Sequence, residues 1–258
     1  MDYQTHCEEL VREGERFVAA SRDAEGRAPV PTCPQWRVDD LLAHVGMVHR
    51  WAEHLVRVRA PMRISVRDMD LSRGPVDARW LAEGLSSLVT TLRASDPADE
   101  MWAWGADQHV AFWARRQLHE TLVHRLDLEG ATGRRGEVDP EVGADAIDEF
   151  LVNLGPAARF SPDVRRLVGT GEVLTFATDE GPRWSVRLDA GGFSVLDKDA
   201  AVASTTATAT ATATATLSGP TAQMLEVLTR RRDLAASSCV VRGDRALVAH
   251  WLANSAVQ

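Results

Sequence analysis

The feature that most constrains the fold is a change of hydrophobic period near the middle of the chain. Up to about residue 155, apolar residues recur at the three- and four-residue spacing of helices; beyond it they alternate in short runs. One repeating architecture cannot satisfy both periods, so the 258 residues divide into a helical part and a mixed part. The boundary falls at GPAARFSP, which gives a helical domain over 1–158 and an α+β domain over 159–258.

In the first part, residues 3–20 set Cys7, Leu10, Val11, Phe17 and Val18 on one amphipathic pattern. RVDDLLAHVGMVHRWAEHLVRV opens with Asp39 and Asp40, favourable against a helix dipole, and its apolar side carries Leu41, Val45, Val48, Ala52 and Leu55. Helices follow over about 77–94 and 107–129, the latter stopping before Gly130 and Gly133. Another runs over 139–153 behind Asp139-Pro140. Four long helices with irregular links predict an up-and-down bundle.

In the second part, EVLTFATD, RWSVRLDA and FSVLDKD read as a meander of an antiparallel sheet. The Thr/Ala alternation of STTATATATATATLSG fits one long strand, expected at a sheet edge or in a loop. GPTAQMLEVLTRRR then reads as a helix, CVVRG as a short strand and DRALVAHWLANS as a final helix.

Composition excludes some partners. The net charge of −8, with no basic stripe interleaved with aromatics, argues against nucleic acid. No apolar run approaches the roughly 20 residues of a membrane span. The charged, amphipathic MDYQTHCEELVREGERF is unlike a secretory signal, so a cytoplasmic location is expected. The basic residues are nearly all arginine, with Lys198 the one lysine, a bias suited to a high-GC genome. Cys7, Cys33 and Cys239 are odd in number and far apart, which speaks against a disulfide framework. Cys33 reads as an inert turn residue, with activation of its thiol by the following helix as the alternative.

The chemistry concentrates in LHETLVHRLD, residues 118–127. It is not an HEXXH zinc-protease helix, because its histidines stand five apart, about 140° round a helix. Glu120 and His124, four apart, differ by only about 40° and can each send one donor atom to a common point. A carboxylate amid Leu118, Leu122, Val123 and Leu126 is costly to bury unpaired, and a cation would relieve that cost. The third candidate ligand is His44, which shares a helix side with Leu41, Val48 and Trp51; His49 and His54 are rotated away from it and expected to be partly exposed. Facing helices of a bundle build metal sites in this way, and a His₂Glu set leaves a position open. The plain alternative is a satisfied core histidine and a surface Glu–His contact.

CPQWRVDDLLAHVG followed some 75 residues later by LHETLVHRLD resembles the DinB-like helical domain of the mycothiol-dependent maleylpyruvate isomerase family. The tail LEVLTRRRDLAASSCVVRGDRALVAHWL is similar to that family's smaller C-terminal domain. The resemblance implies a zinc on His44, Glu120 and His124, mycothiol as co-substrate, and a catalytic arginine best placed at Arg231, with Arg230 and Arg232 as rivals. The family commonly has glycine just before that arginine pair, where this chain has Arg230. The implied activity is that of a zinc-dependent isomerase or S-transferase, in which the thiolate attacks an electrophilic small molecule, maleylpyruvate-like or a biosynthetic intermediate. A zinc hydrolase activating water, or a non-catalytic binding protein, are the competing functions. The protein is expected to act as a monomer or homodimer.

Supporting roles stay open at this level. Asp127 reads either as a group orienting a ligand or as an ordinary helix charge. Arg125 reads as an anion binder or a solvated charge. Trp102, Trp104 and Trp113 read as core or pocket wall. His109 and His119 carry no assignment.

Overall fold

The computed structural model describes residues 1–69, 75–196 and 213–256. It is an α+β protein that divides into two compact units, Met1–Glu137 and Val138–Gln258. The sequence pattern places the boundary after residue 158; the fifth helix instead packs within the sheet-bearing unit and belongs to it.

The first unit is built from α1 (Tyr3–Ser21), α2 (Val38–Arg57), α3 (Ala78–Arg93) and α4 (Val110–Ala131). The starts of the first three are set by carboxylates. Asp2 accepts from Thr5 N at 2.8 Å, Asp40 from Arg37 N at 2.9 Å and Asp77 from Trp80 N at 2.8 Å. Helix α4 runs through Gly130 rather than stopping before it. It closes just beyond, with Gly133 in the left-handed region at φ 73° and Arg134 N donating to Glu129 O at 2.8 Å.

A simple up-and-down order would make α1 and α2 neighbours. The main packing pairs are instead α1 with α4 and α3, and α2 with α3 and α4. Close packing of α2 on α3 depends on Gly46, where a Cβ would collide with the Trp80 ring. Arg50 lies over the same ring, 3.8 Å from its centroid. Because α4 packs against both α1 and α2, its buried residues include not only Leu118 and Leu122 but also His119, His124, Arg125 and Asp127. Polar groups in such a position must find partners within the protein.

The second unit contains α5 (Pro140–Ala157), β1 (Glu172–Thr178), β2 (Arg183–Asp189), β3 (Gly192–Leu196), β4 (Ala215–Gly219), α6 (Thr221–Leu228), β5 (Val240–Gly243) and α7 (Arg245–Asn254). The expected meander is present as β1–β2–β3, and the sheet order is β3-β2-β1-β4-β5. One pairing departs from the antiparallel expectation, since β4 runs parallel to β1. Strand β1 is buried at six consecutive positions, Val173 to Thr178, as a central strand covered on both faces should be. The end of the Thr/Ala tract supplies β4, with Ala215 and Leu217 buried between β1 and β5, not at an edge. The rest of the tract lies outside the described residues. Trp251 fills the core beside Phe176 and Phe193, at ring separations of 5.5 and 5.3 Å.

Helix α6 ends on Arg230, whose backbone takes the left-handed conformation (φ 61°) that glycine favours. Arg230 N donates to Val227 O and Arg231 N to Glu226 O, which closes the helix end. The Arg230 side chain donates to Leu252 O and Ala253 O, satisfying the last carbonyls of α7.

Candidate metal centre

His44 stands near the middle of α2, and Glu120 and His124 stand one turn apart on α4. Glu120 Oε1 lies 3.0 Å from His44 Nε2 and 3.2 Å from His124 Nε2. One donor atom from each of the three residues lies within 4.8 Å of the others, the one such group of metal-binding type among the described residues. Ligands of a tetrahedral zinc stand roughly 3.3 Å apart, so the spacing suits a small divalent ion. Two imidazoles and one carboxylate are also the donor set that a catalytic zinc takes. His44 is one-third exposed and His124 nearly buried, so the cluster opens to solvent on the α2 side.

Each donor is held from behind. His124 Nδ1 donates to Asp127 Oδ2 at 2.9 Å, which turns Nε2 toward Glu120 and His44. Asp127 is fully buried and accepts from Thr32 Oγ1 at 2.6 Å, so it orients His124 and is not an ordinary helix charge. Glu120 Oε2 pairs with Arg116. Trp36 covers the imidazoles, its ring 4.8 Å from that of His44 and 5.8 Å from that of His124.

Burial alone would raise the Glu120 carboxyl, but Arg116, His124 and the bond from His44 hold it well below the usual carboxylate range. Burial would lower His124, yet Glu120 and the hydrogen bond to Asp127 outweigh it and raise the imidazole. Without an ion the cluster therefore favours a proton on His124, in the place where a cation would sit.

The structure decides several readings that the sequence leaves open around this cluster. Cys33, half-buried, points its thiol at Asp127 Oδ2 (3.9 Å). Arg125 is neither an anion binder nor a solvated charge. It is 1% exposed and its guanidinium is taken up by Glu13 Oε2 (2.5 Å), Glu129 Oε2 (2.7 Å) and Glu137 O (2.7 Å). His119 is buried on the α1 side against His6, with ring centroids 6.4 Å apart, away from the Glu120–His124 pair. Trp113 is core, in edge contact with Trp51 and Phe112. Trp104 lies beside Phe112 and Arg116. His109 pairs with Asp107 at the start of α4. Sequence reasoning alone gives no role to Arg116, Thr32 or Trp36, although Trp36 sits in the CPQW stretch.

His49, expected to be partly exposed, is buried, because a 140° rotation from His44 carries it from the open side of α2 onto α4. Its Nε2 donates to Thr121 Oγ1 at 2.8 Å, and Thr121 donates onward to Gln117 O. Burial pushes the imidazole down to about 4. The unfolded chain takes up this proton below about 6.5 and the folded protein only near 4, so stability is present above pH 6.5 and lost as the pH falls. The loss should be on the order of 3 kcal/mol between pH 6.5 and 4. Denaturant midpoints at pH 7 and 4.5 should fall less in His49→Gln than in the wild type; an equal fall would remove His49 as the cause.

Arg231 lies in the second unit just beyond α6, and its Nη1 donates to Thr229 O at 2.8 Å. Arg232 pairs with Glu226, and Arg230 holds the end of α7.

The first unit is thus a four-helix unit with an inward His/Glu/His cluster on facing helices. Its residues 7–129 match the family described as the mycothiol maleylpyruvate isomerase N-terminal domain. Two solved structures share the fold along nearly the whole chain. The crystal structure of the mycothiol-dependent maleylpyruvate isomerase is 13% identical, with a TM-score of 0.56, covering 93% of each chain. A histidine-to-alanine mutant of that enzyme is 12% identical, with a TM-score of 0.54, covering 92% of this chain and 95% of its own. No curated protein matches the chain significantly. Among the described residues, no helix is long and apolar enough to cross a membrane.

Proposed function

We propose that the protein is a thiol-dependent isomerase or S-transferase, related in chemistry to the mycothiol-dependent maleylpyruvate isomerase. Its helical unit holds a divalent metal, zinc by donor type, through His44 Nε2, Glu120 Oε1 and His124 Nε2. The observation that carries this reading is the convergence of these atoms within 4.8 Å, with Asp127 fixing His124 from behind. Bound there, the metal supplies a Lewis acid that favours the thiolate form of a small thiol at neutral pH. With three protein donors, room remains for the thiol, and mycothiol is the thiol the family name supports.

The chain's own residues have definite tasks in this chemistry. Asp127 keeps the His124 proton on Nδ1, so that Nε2 presents its lone pair. Trp36 shields the imidazoles from water. Arg231 is proposed to neutralise negative charge that develops on the electrophile.

The test is a turnover assay with maleylpyruvate on zinc-loaded protein, with and without mycothiol. Isomerisation that requires the thiol is expected, and chelation should abolish it. Loss of substrate without thiol would point to water as the nucleophile, hence a hydrolase. No turnover of any electrophile in a panel, despite bound metal and thiol, would point to a binding protein.

A further inference from the structure

Arg116 stands one turn before Glu120 on α4, and the proposed chemistry leaves it unused. The two Glu120 oxygens are divided between different partners. Oε1 faces His44 Nε2 at 3.0 Å and His124 Nε2 at 3.2 Å, whereas Oε2 pairs with the Arg116 guanidinium. Arg116 is also placed by Trp104, whose ring centroid lies 5.8 Å from the guanidinium carbon. Both partners of the pair are mostly sheltered, at 20% and 19% exposure, so solvent weakens their contact little. An acid following a base by four residues is the less favourable order for stabilising a helix. Support of α4 is thus a weak explanation for the pair.

We propose that Arg116 is a positioning residue that withholds Glu120 Oε2 from a metal held by His44, Glu120 and His124, so that the carboxylate binds through one oxygen and a position stays open for a small thiol. The inference rests on the metal reading above. An unrestrained carboxylate can chelate a divalent ion with both oxygens, filling the position that a thiol needs. A charge-assisted bond from a guanidinium competes for one of those oxygens and fixes the carboxylate plane. The cationic Arg116 also favours an anionic occupant beside the ion over a neutral one.

Cobalt(II)-loaded full-length protein tests this by visible absorption and by titration with 2-mercaptoethanol. The wild type should show the intense visible bands of four-coordinate cobalt and gain a near-ultraviolet thiolate-to-cobalt band on adding thiol. Arg116→Met should weaken the visible bands severalfold as Oε2 joins the ion, and raise the half-saturating thiol concentration by roughly 10-fold or more. Arg116→Lys, which keeps the charge, should restore most of both. Wild-type spectra and titration in a cobalt-loaded Arg116→Met would overturn the proposal. So would complete loss of cobalt from that variant with its circular dichroism intact, because Arg116 would then build the site rather than keep it open. If Arg116→Met does not fold, Arg116→Gln is read by the same criteria. A folded wild type that binds no cobalt would instead overturn the metal reading itself, and this inference with it.

Discussion

Replacing Arg125 by methionine is expected to destabilise the helical unit by about 3–5 kcal/mol, the loss seen when one partner of a buried ion pair is removed. The guanidinium is 2% exposed and donates to Glu13 on α1, to Glu129 on its own helix and to the Glu137 carbonyl beyond it. Glu13 is as deeply buried, so removing Arg125 leaves a carboxylate with only Arg16 to balance it. Glu129 and Arg16 reach solvent and can be hydrated. The double variant Arg125→Met/Glu13→Leu should therefore recover most of the loss, since it removes the stranded charge together with its partner. Urea midpoints followed by tryptophan fluorescence measure both variants. A single variant within about 1 kcal/mol of the wild type would mean that the pair is not sealed from water. Metal content should be unchanged in any Arg125→Met protein that stays folded, because none of the three donors touches Arg125.

This arginine also shows where the sequence stops being legible. Helix spans follow from spacing, and Asp40 and Asp139, both read from the sequence as marks of a helix start, accept backbone bonds within a turn. The Glu120–His124 pair follows from one helix period, and His44 from the apolar side of another. What one helix pattern cannot contain is which of its sides meets a neighbour. Arg125 reads as a solvated charge because nothing local announces Glu13, more than a hundred positions earlier. His49 reads as half-exposed because only the packing of α2 on α4 buries it. Thr32 is invisible for the same reason, since Asp127 lies far along the chain, whereas Arg116 stands one turn from Glu120 and its pairing is within reach of the same helix spacing. In the second unit, alternation marks β1, β2 and β3 but does not give pairing order. The parallel contact of β4 with β1 follows from β1 being buried on both faces and needing a second neighbour. Arg230 takes the left-handed backbone that glycine favours, and its side chain finds its partners in the α7 carbonyls, which no local pattern announces.

Removing a metal donor is the other change of large expected effect. Protein purified with zinc should carry one ion per chain, and His44→Ala, Glu120→Ala and His124→Ala should each retain less than roughly a tenth of it against a competing chelator, since losing a donor costs more than losing a group that only orients one. Asp127→Asn should lower affinity less, by about 10-fold, because the amide oxygen can still accept from His124 Nδ1 while the carboxylate charge is gone. His49→Gln should keep the full ion, because the His49 nitrogen nearest α4 serves Thr121 and not the cluster. Arg231→Ala should also keep the metal and lose turnover, which separates binding the ion from acting on the electrophile. Plasma mass spectrometry of the six proteins beside the wild type, with chelator titrations, gives the complete pattern. A wild type that stays empty in excess zinc would leave the trio as a partly buried ion-pair cluster, with His124 protonated between Glu120 and Asp127. Its electrostatics already favour that state when no cation is bound. A grading from first donors to Asp127 to His49 would show the opposite: that His44, Glu120 and His124 hold a cation and Asp127 steadies it from behind.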